Sequence, residues 1–342
     1  MGITHRTTLK QLAQHLGLSQ TTVSRALNGF PEVSEATRER VRDAAAALDY
    51  RASLTATTLA TGRTRTVGHV VPVARHGLID PHFADTLAGA STACQENGYD
   101  MLLRMATPEE EQETYRDLQA RQRVDGVVLH EPAMDEPRIA LLGDIGLPFI
   151  VHGRAENEDG YDWLDVDNEA AFRRATEHLI GLGHSRIALI NGPERMSFAA
   201  RRKQGHVTAM AAAGLALETR EAEMTEPEGA EATIQLLARD SERPTALLFA
   251  SVLPALGGIR ALREAGLNVP DDMSVMAFDD ELSFLRGMRG SGITAMHSSI
   301  HDAGHALMAM LIARIDNPDI PQQTRFWPVD LREAGSTAPP PK

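Results

Sequence analysis

The chain has 342 residues, 42% of them hydrophobic and 4% aromatic, with a formal net charge of −13. That length allows two or three domains with a large core, and that charge excludes a protein that coats nucleic acid over its whole surface. Cys94 is the only cysteine. An intrachain disulfide is therefore excluded, and Cys94 is expected to pack as a small apolar residue on a helix.

The charge is unevenly spread. Residues 1 to 65 hold nine Lys or Arg against five Asp or Glu, and the remainder holds 25 against 42. A small basic head on a large acidic body points to localised DNA contact. The N-terminus has no basic segment followed by an apolar run, and no stretch approaches the ~20 apolar residues of a membrane helix. A soluble cytoplasmic chain is expected.

In chain order, the first stretch with a clear pattern is Leu9 to Asn28, LKQLAQHLGLSQTTVSRALN. Leu9, Leu12, Ala13 and Leu16 form one apolar stripe at helical period. Gly17 supplies a residue that takes positive φ without penalty, so the chain can turn there. Leu18 is placed to plug the corner, and Ser19 is a good N-cap for a second helix, Gln20 to Leu27. Val23, Ala26 and Leu27 form its inward face. Gln20, Thr21, Ser24, Arg25 and Asn28 remain on other faces, all polar and all able to donate hydrogen bonds. Such a helix suits a major groove. A plain helical hairpin would not need the glycine turn, the small Ala13 at the crossing and the open polar face together.

The segment Thr22 to Tyr50, TVSRALNGFPEVSEATRERVRDAAAALDY, resembles the N-terminus of the LacI/GalR family of bacterial regulators. Its third helix starts at the Ser34 cap and carries Val41, Ala44, Ala45 and Leu48 on one side. The DNA-contacting set in the head is taken as Leu9, Ser19, Gln20, Thr21, Thr22, Ser24, Arg25 and Asn28, with Thr22 on phosphate. Residues 1–50 are the expected helix-turn-helix domain. Residues 51–65 (RASLTATTLATGRTR) read either as a flexible linker or, as the resemblance implies, as a hinge helix. There Leu59 matches a leucine that wedges into the minor groove and Ala56 the alanine three residues before it. Ala52 stands where members commonly have proline, and Thr57 and Thr58 where Arg or Gln is common; threonine is a poor helix former.

From Thr66 the pattern alternates strand and helix. Strands are expected at TVGHVVPV, MLLRM, GVVLH and FIVH, with helices at Phe83 to Asn97, Glu109 to Gln122 and Pro137 to Gly143. A second series has strands at Arg186 to Ile190, Ala246 to Ala250 and Val275 to Phe278. Its helices are Glu169 to Leu182, Phe198 to Ala213, Gly229 to Arg239 and Pro254 to Ala265. This alternation means doubly wound parallel α/β sheets. The fold class is then α/β, a three-helix head plus a two-lobed body like the periplasmic binding proteins. The strand Ile293 to Met296 and the helix Ser299 to Ile315 are expected to cross back to the first lobe. The body is residues 66–342, with lobe 1 about 66–166 and 299–328, and lobe 2 about 167–298 and 329–342. HLIGLGHSRIALINGP and LREAGSTAPP also resemble the family, and the topology implies a ligand cleft between the lobes.

Catalytic arrangements are not expected. His301 and His305 have a zinc-compatible spacing but no accompanying ligand, and read as solvated helix residues. Gly181 and Gly183 end a helix, and no phosphate-binding loop, metal motif or cofactor motif stands out. The better candidates sit at strand ends. Asp279 and Asp280 follow VMAF and could act as acid and base, cap a loop, or accept from sugar hydroxyls; the resemblance favours the sugar role for Asp279. It also matches Arg202 to an arginine directed at ligand hydroxyls, and places Phe83, His130, His152, Arg154 and Ser298 at the cleft. Trp163 could offer an aromatic face to a pyranose ring or belong to the core. Ser251-Val252 replaces the Asn-Asp of many members, and Met224 lies where an aromatic can stack.

The expected function is a ligand-responsive DNA-binding repressor acting as a homodimer on an operator duplex, with a mono- or disaccharide effector. FIVHGRA, MTEP and FDDELSFLR look similar to regulators of α-glucoside uptake. The alternatives are a corepressor-dependent regulator that binds a purine or other small metabolite, and a solute-binding protein for transport; an enzyme is a distant third.

Overall fold

The computed structural model describes residues 7–50, 58, 61–72, 81–239, 243–278 and 292–341. Ala52, Ala56, Thr57 and Leu59 of the expected hinge, and Asp279 and Asp280, lie outside the described residues. The chain divides into two compact units, one containing the N-terminal helices and one spanning residues 67–117 and 126–342.

In the N-terminal unit α1 is Leu9–Leu16, α2 is Gln20–Leu27 and α3 is Glu35–Ala47. Helix α1 starts in a capping box that the sequence reading missed. Gln11 N donates to Thr8 Oγ1 at 3.3 Å, and Thr8 N donates to Gln11 Oε1 at 2.8 Å. Both satisfy amides that a helix start leaves orphaned. Gly17 ends α1 at φ +67°, a left-handed conformation where any Cβ would cost strain. Ser19 Oγ then accepts from Thr22 N at 3.0 Å and starts α2. Leu12, Ala13, Val23, Ala26 and Val41 make the small core, with Leu9, Leu18 and Leu27 packed against it.

The body holds two sheets of six strands among the described residues. The first runs β11-β5-β4-β3-β1-β2. Its members are β1 (Thr66–Pro72), β2 (Asp100–Ala106), β3 (Gly126–His130), β4 (Phe149–His152), β5 (Asp162–Val166) and β11 (Thr324–Trp327). The second runs β12-β10-β9-β8-β6-β7. It contains β6 (Ile187–Asn191), β7 (Glu218–Glu221), β8 (Ala246–Phe249), β9 (Ser274–Phe278), β10 (Thr294–His297) and β12 (Asp330–Arg332). Strand β12 is antiparallel to β10, while β7, β6, β8, β9 and β10 run parallel. Without their late edge strands, both sheets show the same doubly wound order, with switch points at β1/β3 and β6/β8.

Helices α5 (Glu111–Ala120) and α6 (Pro137–Asp144) follow β2 and β3 in the chain, and helices α4 (Pro81–Asn97) and α11 (Ile300–Asp316) cover one face of the first sheet. Their Ala90, Ala93, Leu307 and Leu311 pack on Val67, Val128 and Ile150. Cys94 is buried in that cluster, as its helical position foretold. In the second sheet, α7 (Asn168–Gly181) and α8 (Ser197–Ala212) cover one face through Phe172 and Met210. Helices α9 (Glu226–Leu237) and α10 (Val252–Glu264) cover the other through Leu236 and Leu262.

One topological expectation needs correcting. The strand at Thr294–His297 does not cross back; it pairs with β9 in the second sheet, and only the helix after it returns to the first. Four strands were not foreseen: β5, β7, β11 and β12. They carry Asp, Glu, Thr or Arg at several positions, and three form sheet edges while β5 lies beside one, so no buried apolar run marks them. Strand β5 keeps Asp162 buried because Arg314 of α11 meets its carboxylate at 2.8 and 2.9 Å. That partner is remote in sequence.

Candidate functional site

Strand order places the carboxyl ends of both sheets around one cavity of about 300 Å³ within the body. From the first sheet come the ends of β1, β3, β4 and β5; from the second, Ala250 and Ser251 after β8, Phe278 of β9 and Ser298 after β10. Helix α8 adds Ser197, Phe198 and Arg202 from its first two turns. A crevice at strand ends is where doubly wound sheets bind ligands.

Arg202 is the hub of the cavity. Its Nε donates to Asn168 Oδ1 at 2.7 Å and its Nη1 to the Ala250 carbonyl at 2.6 Å. Its guanidinium carbon lies 4.1 Å from the Phe278 ring centre and 4.8 Å from that of Phe198. A planar cation held between rings and oxygen acceptors has little rotamer freedom left to lose on binding. The close crossing of α7 and α8 makes this possible. A Cβ on Gly205 would lie 2.1 Å from the Glu169 carbonyl oxygen, so only glycine lets the helices approach this far. Asn168 is next to Glu169, and Arg202 lies about one turn before Gly205.

The Arg202 cluster continues into the first sheet. Asn168 Nδ2 donates to Asp165 Oδ1 at 3.1 Å, and Arg154 Nε donates to Asp165 Oδ2 at 3.0 Å. Arg154 is also paired with Glu158. Burial pushes the Asp165 carboxyl up to about 6, with the Arg154 charge pulling the other way. The lobes also touch directly: Ser197 N donates to the Pro132 carbonyl at 2.9 Å, and Arg201 Nη2 to the Ala155 carbonyl at 2.9 Å.

On the first-sheet side three histidines meet. His69 Nδ1 lies 3.0 Å from His130 Nε2, and His130 Nδ1 lies 3.2 Å from His152 Nδ1. The Phe83 ring meets His130 edge-on at 5.5 Å. Burial lowers all three: His69 and His152 to about 4, and His130 well below its ordinary 6.5. The rings are therefore neutral at pH 7. Beside them the chain turns at Glu131, whose φ of +50° is rare for a residue with a Cβ. Arg138 holds that turn. Its Nη2 donates to the carbonyls of His130 and Glu131 at 3.3 Å each, while Glu136 and Glu111 anchor its other nitrogens.

Of the residues singled out from sequence, Phe83, His130, His152, Arg202, Ser251 and Ser298 line this cavity. Met224 does too, in place of an aromatic. Arg154 and Trp163 do not. The Trp163 indole is buried edge-on to Phe326, 5.1 Å away, with Arg154 over the same two rings. It offers no face to a pyranose. Ser251 Oγ caps α10 by accepting from Leu253 N at 3.4 Å. Asn168, Asp165, Phe278 and His69 were missed; VDN after an unforeseen strand and a histidine inside an apolar strand gave weak signals. His305 pairs with Glu96 at 2.8 Å, and among the described residues no group of three or more His, Cys, Asp or Glu could hold a metal ion. No helix among them is long and apolar enough to cross a membrane.

On the head, Gln20, Thr21 and Arg25 are exposed along α2, with Ser24 and Thr22 partly so. Leu9 is partly buried against the head core. Asn28 uses its amide on the Ser24 carbonyl at 2.9 Å, closing the end of α2.

Residues 8–53 match the model described as bacterial regulatory proteins, lacI family, and residues 176–337 match a periplasmic binding protein-like domain. The chain is 42% identical to the HTH-type transcriptional regulator AglR of Rhizobium meliloti (strain 1021), over 97% of this chain and 95% of that one. It is similar to the solved CelR–cellobiose complex, with a TM-score of 0.72 and 31% identity over 97% of this chain and all of that chain. The lac repressor dimer bound to operator and the anti-inducer ONPF gives a TM-score of 0.81 at 26% identity, covering 97% and 99%.

Proposed function

Because the chain belongs to the LacI family of bacterial transcriptional regulators, we propose that it is a homodimeric operator-binding repressor of sugar-utilisation genes, released by an α-glucoside. One observation carries this reading: a head with an exposed polar α2 is joined to a body whose cavity is built from Arg202, Asn168 and neutral histidines. A charged five-donor group beside amide and imidazole groups suits adjacent hydroxyls, each of which donates and accepts. The solved CelR relative is a complex with cellobiose, and AglR and RafR are further relatives, while relatives named PurR keep a purine as the competing effector. In this reading residues 1–50 read DNA and 51–65 form the hinge, with Leu59 as its minor-groove wedge. Residues 66–342 bind effector and partner, and the site is completed by Asp279. The protein acts in the cytoplasm and performs no catalysis.

Selection of duplexes from a random pool with the full chain tests it. The expected product is a near-palindrome whose half-sites are about one helical turn apart, bound less tightly as salt rises. Arg25→Ala should relax preference at one position of each half-site, and Leu59→Ala should reduce both affinity and bending. Calorimetry with sucrose, maltose, trehalose and cellobiose then reads the effector. Tight binding of a purine base with no response to any saccharide would replace the sugar reading with a corepressor reading.

A further inference from the structure

His69 does not reach the cavity, yet it ends a chain of three imidazoles that does. It is fully buried, its Nδ1 faces His130, and its Nε2 has no hydrogen-bond partner among the described residues. His130 is bonded through both nitrogens, to His69 on one side and to His152 on the other. His152 lines the cavity and spends Nδ1 on His130, which leaves Nε2 as the nitrogen available to a ligand.

A neutral imidazole carries one hydrogen, and each contact between two of these nitrogens needs one hydrogen between them. Only two arrangements satisfy both contacts. In the first, His130 donates from Nε2 to His69 and accepts from His152 Nδ1–H. His69 must then carry its hydrogen on Nε2, a buried N–H with nothing to receive it, and His152 Nε2 shows the cavity a lone pair. In the second, His69 Nδ1–H donates to His130, and His130 Nδ1–H donates to His152. The unpartnered His69 nitrogen is then a bare lone pair, and His152 Nε2 carries a hydrogen. Among backbone groups, buried N–H without a partner is rarer than an under-satisfied acceptor; the same preference applied to the ring nitrogens favours the second arrangement.

We propose that His69, His130 and His152 form a tautomer relay that fixes His152 Nε2 as a hydrogen-bond donor in the cavity, with His69 as the positioning residue that sets its direction. The subsite thus selects an oxygen that accepts: a hydroxyl, ring or glycosidic oxygen of a saccharide. This deepens the effector reading above and rests on it. His69 touches no ligand; its effect passes through two rings.

Full-length protein labelled with 15N in histidine tests the relay directly, with rings assigned by single His→Gln variants. At pH 7 the expected spectrum has His69 and His130 protonated on Nδ1 and His152 on Nε2. The opposite set, or an imidazolium at His130, overturns the proposal. The second readout is calorimetry with maltose, sucrose, trehalose and cellobiose, and with deoxy and deoxyfluoro forms of those that bind. Fluorine accepts but cannot donate, so at the His152 subsite the fluoro form should keep more affinity than the deoxy form. His69→Phe should weaken binding about tenfold, the worth of one hydrogen bond at the upper end, and close the fluoro–deoxy gap. His69→Asn, which restores a donor near Nδ1, should reopen it. An unchanged gap in His69→Phe overturns the relay with the sugar reading intact. If no saccharide binds the unaltered protein, the effector reading fails, and the histidine spectra still decide the relay.

Discussion

Arg202 combines three constraints on one side chain: ring faces, an amide oxygen and a main-chain carbonyl. Its removal should cost about 1.5–3 kcal/mol of effector affinity, the range for hydrogen bonds to charged groups. Arg202→Lys should recover little of that, because an ammonium cannot reach Asn168 and Ala250 as a planar fork does. Titration calorimetry on both variants reads the difference; equal affinity in Arg202→Lys and the unaltered protein would show that charge alone matters. Such residue-scale assignments were only partly legible in the sequence. Arg202 could be matched by position, because it lies in an ARRKQG segment with a clear helical frame. Trp163 could not be placed, because its partners Phe326 and Arg154 come from segments whose pairing only the sheet defines. His69 sits inside an apolar strand and becomes notable only once β3 and β4 bring His130 and His152 beside it.

At the scale of elements, the helices and central strands were readable because burial imposes a period on them. Helix α2 is the clearest case: Val23 and Ala26 are buried and Thr21 and Arg25 exposed, as the spacing requires. The edge strands β7, β11 and β12 were not readable. Glu218–Glu221 has no apolar face, and Thr324–Trp327 leaves Phe326 exposed. Their strand character comes from main-chain pairing with a neighbour that is itself distant in sequence. The close contact of α7 with α8 hid in the same way, since Gly205 looks like any helical glycine until Glu169 is opposite it. Gly205→Ala must drive the two helices apart. The expected loss is about 1–3 kcal/mol of stability, as for other overpacked sites, with weaker effector binding because Asn168 and Arg202 separate. Urea unfolding and calorimetry on the same sample check both. A variant as stable as the original would show that the crossing tolerates a methyl group.

The body holds four buried histidines neutral, and that makes its stability depend on pH. His69, His152 and His206 are each lowered by burial to about 4, and His130 is lowered well below its ordinary value. An unfolded histidine takes up its proton near pH 6.5, so the unfolded chain binds more protons below that pH. Stability is therefore full above about 6.5 and falls as pH drops towards 4. Within that window each such histidine contributes about 1.4 kcal/mol per pH unit. Asp165, raised by burial to about 6, acts in the opposite sense and offsets part of one histidine between its unfolded value and about 6. Urea unfolding of the full chain near pH 7 and near pH 5 should show the fall. His206→Gln, which keeps a partner for Thr176, should reduce the slope by close to one proton. An unchanged slope would mean that His206 does not stay neutral.

The two sheets share a strand order, and the segments that join them converge on the cavity that Arg202 lines. Contacts such as Ser197 to Pro132 and Arg201 to Ala155 tie the lobes across it. A ligand placed there can favour one lobe arrangement over another only through differential contacts. The most direct test is fluorescence anisotropy of the selected operator duplex with the full chain, titrated with the saccharide that calorimetry identifies, for the unaltered protein and for Arg202→Ala. The expected result is tight binding by both proteins, release of the duplex from the unaltered protein as saccharide is added, and no release from Arg202→Ala at the concentration that releases the unaltered protein. Binding that tightens on saccharide addition, or a release that Arg202→Ala leaves intact, would contradict it.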